Sequence, residues 1–337
     1  MIIQTKACAR AALIGNPSDG YFGKTISFTM ENFCATVTLW ESPELVILPT
    51  RRDDTVFKNI DELASDVRLF GYYGGIRLLK AAIKTFHDYA RKNGVALDSR
   101  NFTIRYESNI PNLVGLAGSS AIITACYRAL MSFYGVTIPK PELANIIRET
   151  EERELGITAG LQDRVIQVYE GLVYMDFDKA LIEKQGYGRY EYLDQAKLPP
   201  IYIAYRTDLS EISDVFHNNI KARYVAGEKL IVDAMHFWAD ITDQARIAIE
   251  TGDASTLAKL MDANFDKRAS IYTLSEGNLR MVSTARSCGV SAKFTGSGGA
   301  IVGVYEDEAQ FARLRTELSK ISVEVIKPRI AVPGWQM

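Results

Sequence analysis

Two short stretches of this chain have compositions suited to holding phosphate. Residues 110–121 read Ile-Pro-Asn-Leu-Val-Gly-Leu-Ala-Gly-Ser-Ser-Ala, and an amphipathic helix follows directly. The first amides of a helix have no partner inside it, and its aligned peptide dipoles place about half a positive charge there. Gly115 and Gly118 would let those amides approach an anion closely. Ser119 and Ser120 offer a helix cap and an oxygen ligand for a hard cation such as Mg²⁺. An ordinary helix start after a turn has the same composition. The second stretch, Lys293-Phe-Thr-Gly-Ser-Gly-Gly-Ala, lies between two predicted strands. Alone it reads as a tight hairpin. Two such loops in one chain favour a nucleotide, whose phosphates and sugar need backbone on more than one side.

Candidate acid–base and ligand groups lie elsewhere in the chain. Asp163 follows Gly156-Ile-Thr-Ala-Gly160-Leu-Gln, glycine-bearing chain able to present a carboxylate at a helix start. The helix dipole would keep it ionised there, and simple capping is its structural alternative. Glu149, Glu151, Glu152 and Glu154 form an acidic run whose plain reading is a solvated helix face. Asn16 and Asp19 flank Pro17; short amide and carboxylate groups suit vicinal hydroxyls of a sugar, and also turn formation. Ser18-x4-Gly23-Lys24-Thr25 is a near-miss to a Walker A loop, and Leu172 to Asp176 imitates a Walker B strand. The absent first glycine is the one that turns the amides toward phosphate. From Ile26 onward the sequence also reads as strand where a P-loop needs a helix, so this reading is set aside.

The elements that must position these groups follow from periodicity. The first 50 residues alternate polar and apolar, as in Ile26-Ser-Phe-Thr-Met and Ala35-Thr-Val-Thr-Leu, and are broken by Gly15-Asn-Pro-Ser-Asp-Gly and Ser42-Pro43. They predict strands and turns. Helical spacing runs over 74–92 and stops at Asn93-Gly94. A strand is expected over 102–106, helices over 118–134 and 141–155, a helix from about 161, and a strand over 171–177. The Leu198-Pro199-Pro200 break precedes the apolar run Ile201-Tyr-Ile-Ala-Tyr and marks a boundary between segments 1–197 and 198–337. Beyond it, helices are expected near 211–223, 228–250, 255–267, 277–287 and 307–319, with strands near 291–295, 300–305 and 323–327. Strands and helices without strict alternation indicate an α+β fold.

Composition narrows the class. The chain has 337 residues, 47% of them hydrophobic, with 39 basic and 41 acidic side chains and a net charge of -2. This length favours two domains over a single core. Nothing in it builds a field for nucleic acid or an anionic membrane. The N-terminal MIIQTKACARAALIG is too short and polar for a signal peptide, and no apolar run reaches the roughly 18 residues of a membrane span. Cys8, Cys34, Cys126 and Cys288 are far apart in sequence and without zinc spacing, which reads as free thiols in a reducing, cytoplasmic setting.

Taken together, the two loops and Arg10-Ala-Ala-Leu-Ile-Gly15-Asn-Pro-Ser-Asp19 resemble the three signature motifs of the GHMP kinases, in the same order. Pro111-x-x-x-Gly115-Leu-x-Gly118-Ser-Ser-Ala is similar to the family's phosphate loop, and Lys293 to Ala300 to its third motif. Gly15-Asn-Pro-Ser-Asp with Tyr21-Phe-Gly, Gly71-Tyr-Tyr-Gly-Gly and Gly160-Leu-Gln-Asp-Arg resembles glucuronokinases in particular, over nearly the whole chain. The resemblance implies an N-terminal domain like ribosomal protein S5 domain 2 and a ferredoxin-like C-terminal domain. It implies ATP and Mg²⁺ as cofactors, with Pro111, Gly115, Leu116, Ala117, Gly118, Ser119, Ser120, Gly296, Ser297 and Gly298 around the nucleotide phosphates. Asp163 is then the base, Arg10 the cation at the reacting groups, and Ser120 with Glu151 the metal ligands. Asn16, Asp19 and Gly296 line the acceptor. A uronic acid also needs a cation for its carboxylate. Arg164, beside the base, is the first candidate, ahead of Lys24, Arg77 and Arg223. The expected reaction is transfer of the ATP γ-phosphoryl to the anomeric hydroxyl of D-glucuronate by a monomer or homodimer. Another sugar or a mevalonate-like acid is the alternative acceptor, and a non-catalytic ligand-binding protein of the same fold is the alternative of another class.

Overall fold

The computed structural model describes residues 1–50, 53, 59–60, 74–157, 160–207 and 220–334. Gly71 to Tyr73, Thr158, Ala159 and the first part of the helix expected from 211 lie outside the described residues. Two long strands open the chain, β1 (Ile2–Ile14) and β2 (Lys24–Ser42), and pair antiparallel along nearly their whole length. The other edge of β2 is shared. Its second half pairs with β4 (Asn101–Ser108), and its first half with β5 (Leu172–Asp176). The short β3 (Val46–Ile47) and β6 (Arg189–Tyr192) complete this sheet at its two ends. A separate antiparallel sheet has the order β10-β7-β9-β8, from β7 (Ile201–Arg206), β8 (Lys293–Phe294), β9 (Ala300–Val304) and β10 (Val323–Ile326).

Helices cover both sheets: α1 (Gly75–Lys92), α2 (Gly118–Tyr134), α3 (Lys140–Glu149), α4 (Leu161–Tyr169) and α5 (Lys179–Gln185), then α6 (Ile220–Val225), α7 (Lys229–Thr251), α8 (Ala254–Ala269), α9 (Glu276–Ser287) and α10 (Glu308–Ser319). The helix α2 is apolar on nearly every side and is accordingly buried almost throughout. Its one interior guanidinium, Arg128, donates to the Lys6, Gln167 and Val168 carbonyls and to Glu170, which satisfies a charge the core could not otherwise hold. From the later half of the chain, α7 and α8 pack back onto β1 and β2. The Thr242 hydroxyl donates to the Lys24 carbonyl, and Asn264 exchanges hydrogen bonds with the backbone of Gly15 and Asn16.

The outer edge of β1 explains how the two glycine loops meet. An unpaired strand edge leaves backbone groups without partners. On β1, alternate amides fill that need with the loops: Arg10 N donates to the Leu116 carbonyl at 3.3 Å and Ala12 N to that of Thr295 at 2.9 Å. Strand pairing thus docks residues more than a hundred positions apart against one edge.

The structure corrects several expectations. Cys8 and Cys34 are not free thiols; they face one another in the β1–β2 register and form a disulfide. Spacing in sequence could not show this, because register decides which residues oppose each other. Cys126 and Cys288 are free and buried. The helix expected over 141–155 is regular to Glu149 and then widens into a π-helical turn at Thr150–Glu154. The strand expected over 291–295 is only two residues long. Neither α5 nor β6 was expected; one is short and exposed, the other a four-residue edge strand. No described helix is long and apolar enough to cross a membrane.

Candidate active site

Arg10 and Asp163 form the centre of a cavity of about 1080 Å³. Arg10 projects from β1 and grips Asp163 with two bonds, Nε to Oδ1 at 2.6 Å and Nη2 to Oδ2 at 2.9 Å. Its remaining nitrogen, Nη1, donates to the Gly115 carbonyl at 2.6 Å and the Thr295 carbonyl at 2.8 Å. One guanidinium therefore ties the candidate base to both glycine loops. Burial alone would raise the Asp163 pKa, but the charges of Arg10 and Arg164 overcome it and hold the carboxyl below its usual range. Asp163 lies in the first turn of α4, as expected, and that helix is tied to the start of α2 by Gln167 Nε2 donating to the Ala117 carbonyl at 2.9 Å.

The phosphate loop has the backbone its sequence requires. Gly115 takes φ +68°, and a Cβ there would lie 2.8 Å from the Gly298 carbonyl oxygen, so the two loops touch backbone to backbone. Ala117 precedes α2 with φ 59°, a left-handed conformation uncommon for alanine and of the kind that collects at functional turns. The expectation that the serines cap α2 is not met. Among the described residues no side chain caps its start; Ser120 Oγ donates back to the Ala117 carbonyl, and Ser119 Oγ turns to Glu151 Oε1 at 2.8 Å. The first amides of α2 remain open for an anion.

Pro111, Gly115, Leu116, Ala117, Gly118, Ser119, Gly296 and Ser297 all line the cavity, as do Asn16, Asp19, Asp163 and Arg164. Ser120, Glu151 and Gly298 stand behind that lining: Ser120 and Glu151 are fully buried, and Gly298 meets Gly115. Glu151 Oε2 accepts both Nε and Nη2 of Arg164, whose Nη1 donates to the Gly160 carbonyl and approaches Asp163 at 3.3 Å. Every nitrogen of Arg164 is thus engaged with protein. Of the other cations considered for a substrate carboxylate, Lys24 pairs with Asp243 and Arg223 with Glu228, both outside the lining, while Arg77 lines it.

Beside this group, Asp19 accepts from the Gln162 amide, and burial together with the Asp163 charge pushes its pKa up to about 6. Asn16 is buried, and its Oδ1 has no hydrogen-bond partner among the described residues. Sequence reasoning missed three residues here: Gln162, Tyr272 and the buried Arg268. The signal for Arg268 was present. The buried face of α8 runs Leu257, Leu260, Met261, Asn264, Phe265, Arg268, and two polar residues on an apolar stripe mark a site that needs them.

The family model described as GHMP kinases N terminal domain matches residues 77–171, and the one described as GHMP kinases C terminal matches 245–322. Over 98% of its length the chain is 41% identical to a probable glucuronokinase 2 of Arabidopsis thaliana, covering 92% of that protein. The chain belongs to the GHMP kinase family. It is also 42% identical to glucuronokinase 1 of Arabidopsis thaliana, over 89% of this chain and 84% of that one. Among solved structures, the galactokinase of Lactococcus lactis complexed with galactose superposes with a TM-score of 0.75 at 14% identity, over 98% of this chain and 93% of that one. A likeness at that identity shows the fold alone. In this GHMP kinase, as expected, the helix following a Walker A loop is absent after Thr25, since Lys24 to Ser42 is strand β2.

Proposed function

We propose that the protein is a sugar 1-kinase that transfers the γ-phosphoryl group of ATP to the anomeric hydroxyl of D-glucuronate, giving glucuronate 1-phosphate and ADP. The observation that carries this reading is the Arg10–Asp163 pair at the junction of both glycine loops, in a chain 41% and 42% identical to two glucuronokinases. Phosphoryl transfer needs positioning and charge stabilisation more than covalent chemistry. The open amides of α2 and the backbone of 115–119 and 296–298 cradle the phosphates. The anomeric hydroxyl lies against Asp163, which takes its proton as the hydroxyl oxygen bonds to the γ-phosphorus and the bond to ADP breaks. Arg10 keeps Asp163 ionised and oriented, and its cation faces the charge that develops on the transferring group. Asn16 and Asp19 receive the sugar's other hydroxyls.

The donors beside the phosphate loop fit Mg²⁺. Serine hydroxyl and carboxylate are hard oxygen ligands, and Ser119 already meets Glu151 at 2.8 Å. Glu151 Oε1, which meets the Ser119 hydroxyl while Oε2 stays with Arg164, would hold the ion together with the hydroxyls of Ser119 and Ser120, and the ion would neutralise phosphate charge. We also assign residues 1–197 to an N-terminal domain carrying the phosphate loop and base, and 198–337 to a C-terminal domain.

Phosphorus NMR of the product tests the reaction. A sugar 1-phosphate whose anomeric proton couples to phosphorus supports it; phosphorylation at any other hydroxyl defeats it.

A further inference from the structure

We infer that Arg268 receives the carboxylate of the uronic acid acceptor; this rests on the reading of the acceptor as a uronate. Arg268 lies on the buried face of α8, is only 7% exposed, and lines the cavity. A guanidinium has five N–H donors. Here Nη1 gives one to the Gly296 carbonyl at 2.8 Å and Nη2 one to the Ser297 carbonyl at 3.3 Å. Nε is buried and has no hydrogen-bond partner among the described residues. Each Nη therefore keeps one further N–H for a ligand. Among the described residues no carboxylate forms an ion pair with Arg268, in contrast to Arg10 with Asp163 and Arg164 with Glu151.

A buried cation without an anion is costly, and proteins ordinarily supply the partner. The charged neighbours of Arg268 do not supply one as an ion pair. The ammonium of Lys293 is fully buried on the Ala12 and Phe294 carbonyls, and burial, followed by the charges of Arg268 and Arg10, pushes its pKa down. The carboxylates near Arg268 are Asp163, already held by Arg10, and Asp19, whose charge acts on Arg268 across space without forming an ion pair. The Arg268 fork is left without an ion-pair partner among the described residues, and an anionic ligand would complete it.

Position separates the acceptor carboxylate from a nucleotide phosphate. Arg268 Nη1 and Asn16 Nδ2 converge on the same Gly296 carbonyl, and the charge of Asp19 reaches Arg268. The open amides of α2 and Ser119 lie toward Glu151 instead. A planar fork also matches a carboxylate in two-point contact.

The test is steady-state kinetics of Arg268→Met and Arg268→Lys with D-glucuronate, with D-glucose, and with varied ATP. Loss of a charge-assisted contact predicts a KM for D-glucuronate raised about 10- to 100-fold in Arg268→Met. The KM for ATP and the weak turnover of D-glucose stay within about two-fold, so the preference for the acid collapses. Arg268→Lys keeps a charge without the fork, recovers part of the affinity, and decides the matter if the methionine variant does not fold. Equal losses on both sugars, or a raised KM for ATP alone, make Arg268 a clamp on the loop or a phosphate ligand and overturn the inference. If the wild type turns over D-glucuronate and both variants match it, only the Arg268 assignment falls. If the wild type ignores D-glucuronate, the acceptor reading falls and takes this inference with it.

Discussion

Two buried arginines that line one cavity are treated in contrary ways. Arg164 is closed into a pair with the fully buried Glu151, and all its nitrogens are used. Arg268 is equally buried, yet two backbone carbonyls are its only hydrogen-bond partners among the described residues. The first arrangement is complete within the protein and fixes the helix that carries Asp163. The second is incomplete and leaves donors for something else. A buried charge that the fold satisfies speaks for architecture; one that it leaves unsatisfied speaks for a ligand.

The contrast can be broken at several points. The largest effect is expected at the centre: Asp163→Ala lowers kcat by about 10²- to 10⁴-fold in single-turnover assays, the usual range for a positioned base. A variant as active as wild type removes Asp163 from the chemistry. At the completed pair, Arg164→Met strands the buried Glu151 and Glu151→Gln leaves Arg164 only Asp163 at 3.3 Å, losses that cost up to roughly 3–5 kcal/mol in denaturant unfolding. Replacing both together costs less than either alone, and strict additivity would mean that the pair is not coupled.

Smaller effects sharpen the picture. A methyl group on Gly296 would meet the Gly115 carbonyl and the Arg10 guanidinium, so Gly296→Ala costs roughly 1–3 kcal/mol and raises the KM for ATP. Unchanged nucleotide affinity would separate the third loop from the phosphates. Asp19 titrates near pH 6 in the folded protein against an ordinary 3.8. A raised carboxyl pKa means that the stability Asp19 lends is present at low pH and is lost as pH rises through about 6. Acceptor binding runs the other way, because the ionised form accepts sugar hydroxyls: kcat/KM for the sugar falls as pH drops through about 6, and Asp19→Asn flattens that limb. Asp163, held below its usual range, contributes no titration there. The smallest effect belongs to Lys24, whose half-exposed pair with Asp243 is worth about 0–1 kcal/mol; Lys24→Ala leaves the acceptor KM unchanged.

The legible parts of this molecule are those written locally. The phosphate loop shows itself because glycine, glycine and paired serines stand directly before an apolar helix, and α2 spans 118–134 as the sequence indicated. The helix α1 and the stop at Asn93-Gly94 followed from one periodic stretch in the same way. What stayed hidden depends on register and on distant pairing. The Cys8–Cys34 disulfide needs the β1–β2 alignment, and the Ser119–Glu151–Arg164 chain needs α2, the π-helical turn and α4 in place together. Arg164 stood beside the base in sequence, but α4 turns its side chain toward Glu151. Arg268 was overlooked because Asp266-Lys267-Arg268 looks like a solvated helix end until the stripe above it is counted.

The central claim is a kinase whose acceptor carries a carboxylate, and ADP release with Mg-ATP across a panel of acceptors tests it most directly. The account predicts turnover with D-glucuronate and little with galacturonate, glucose, galactose or mevalonate. Efficient turnover of a neutral sugar, with D-glucuronate inert, would contradict it.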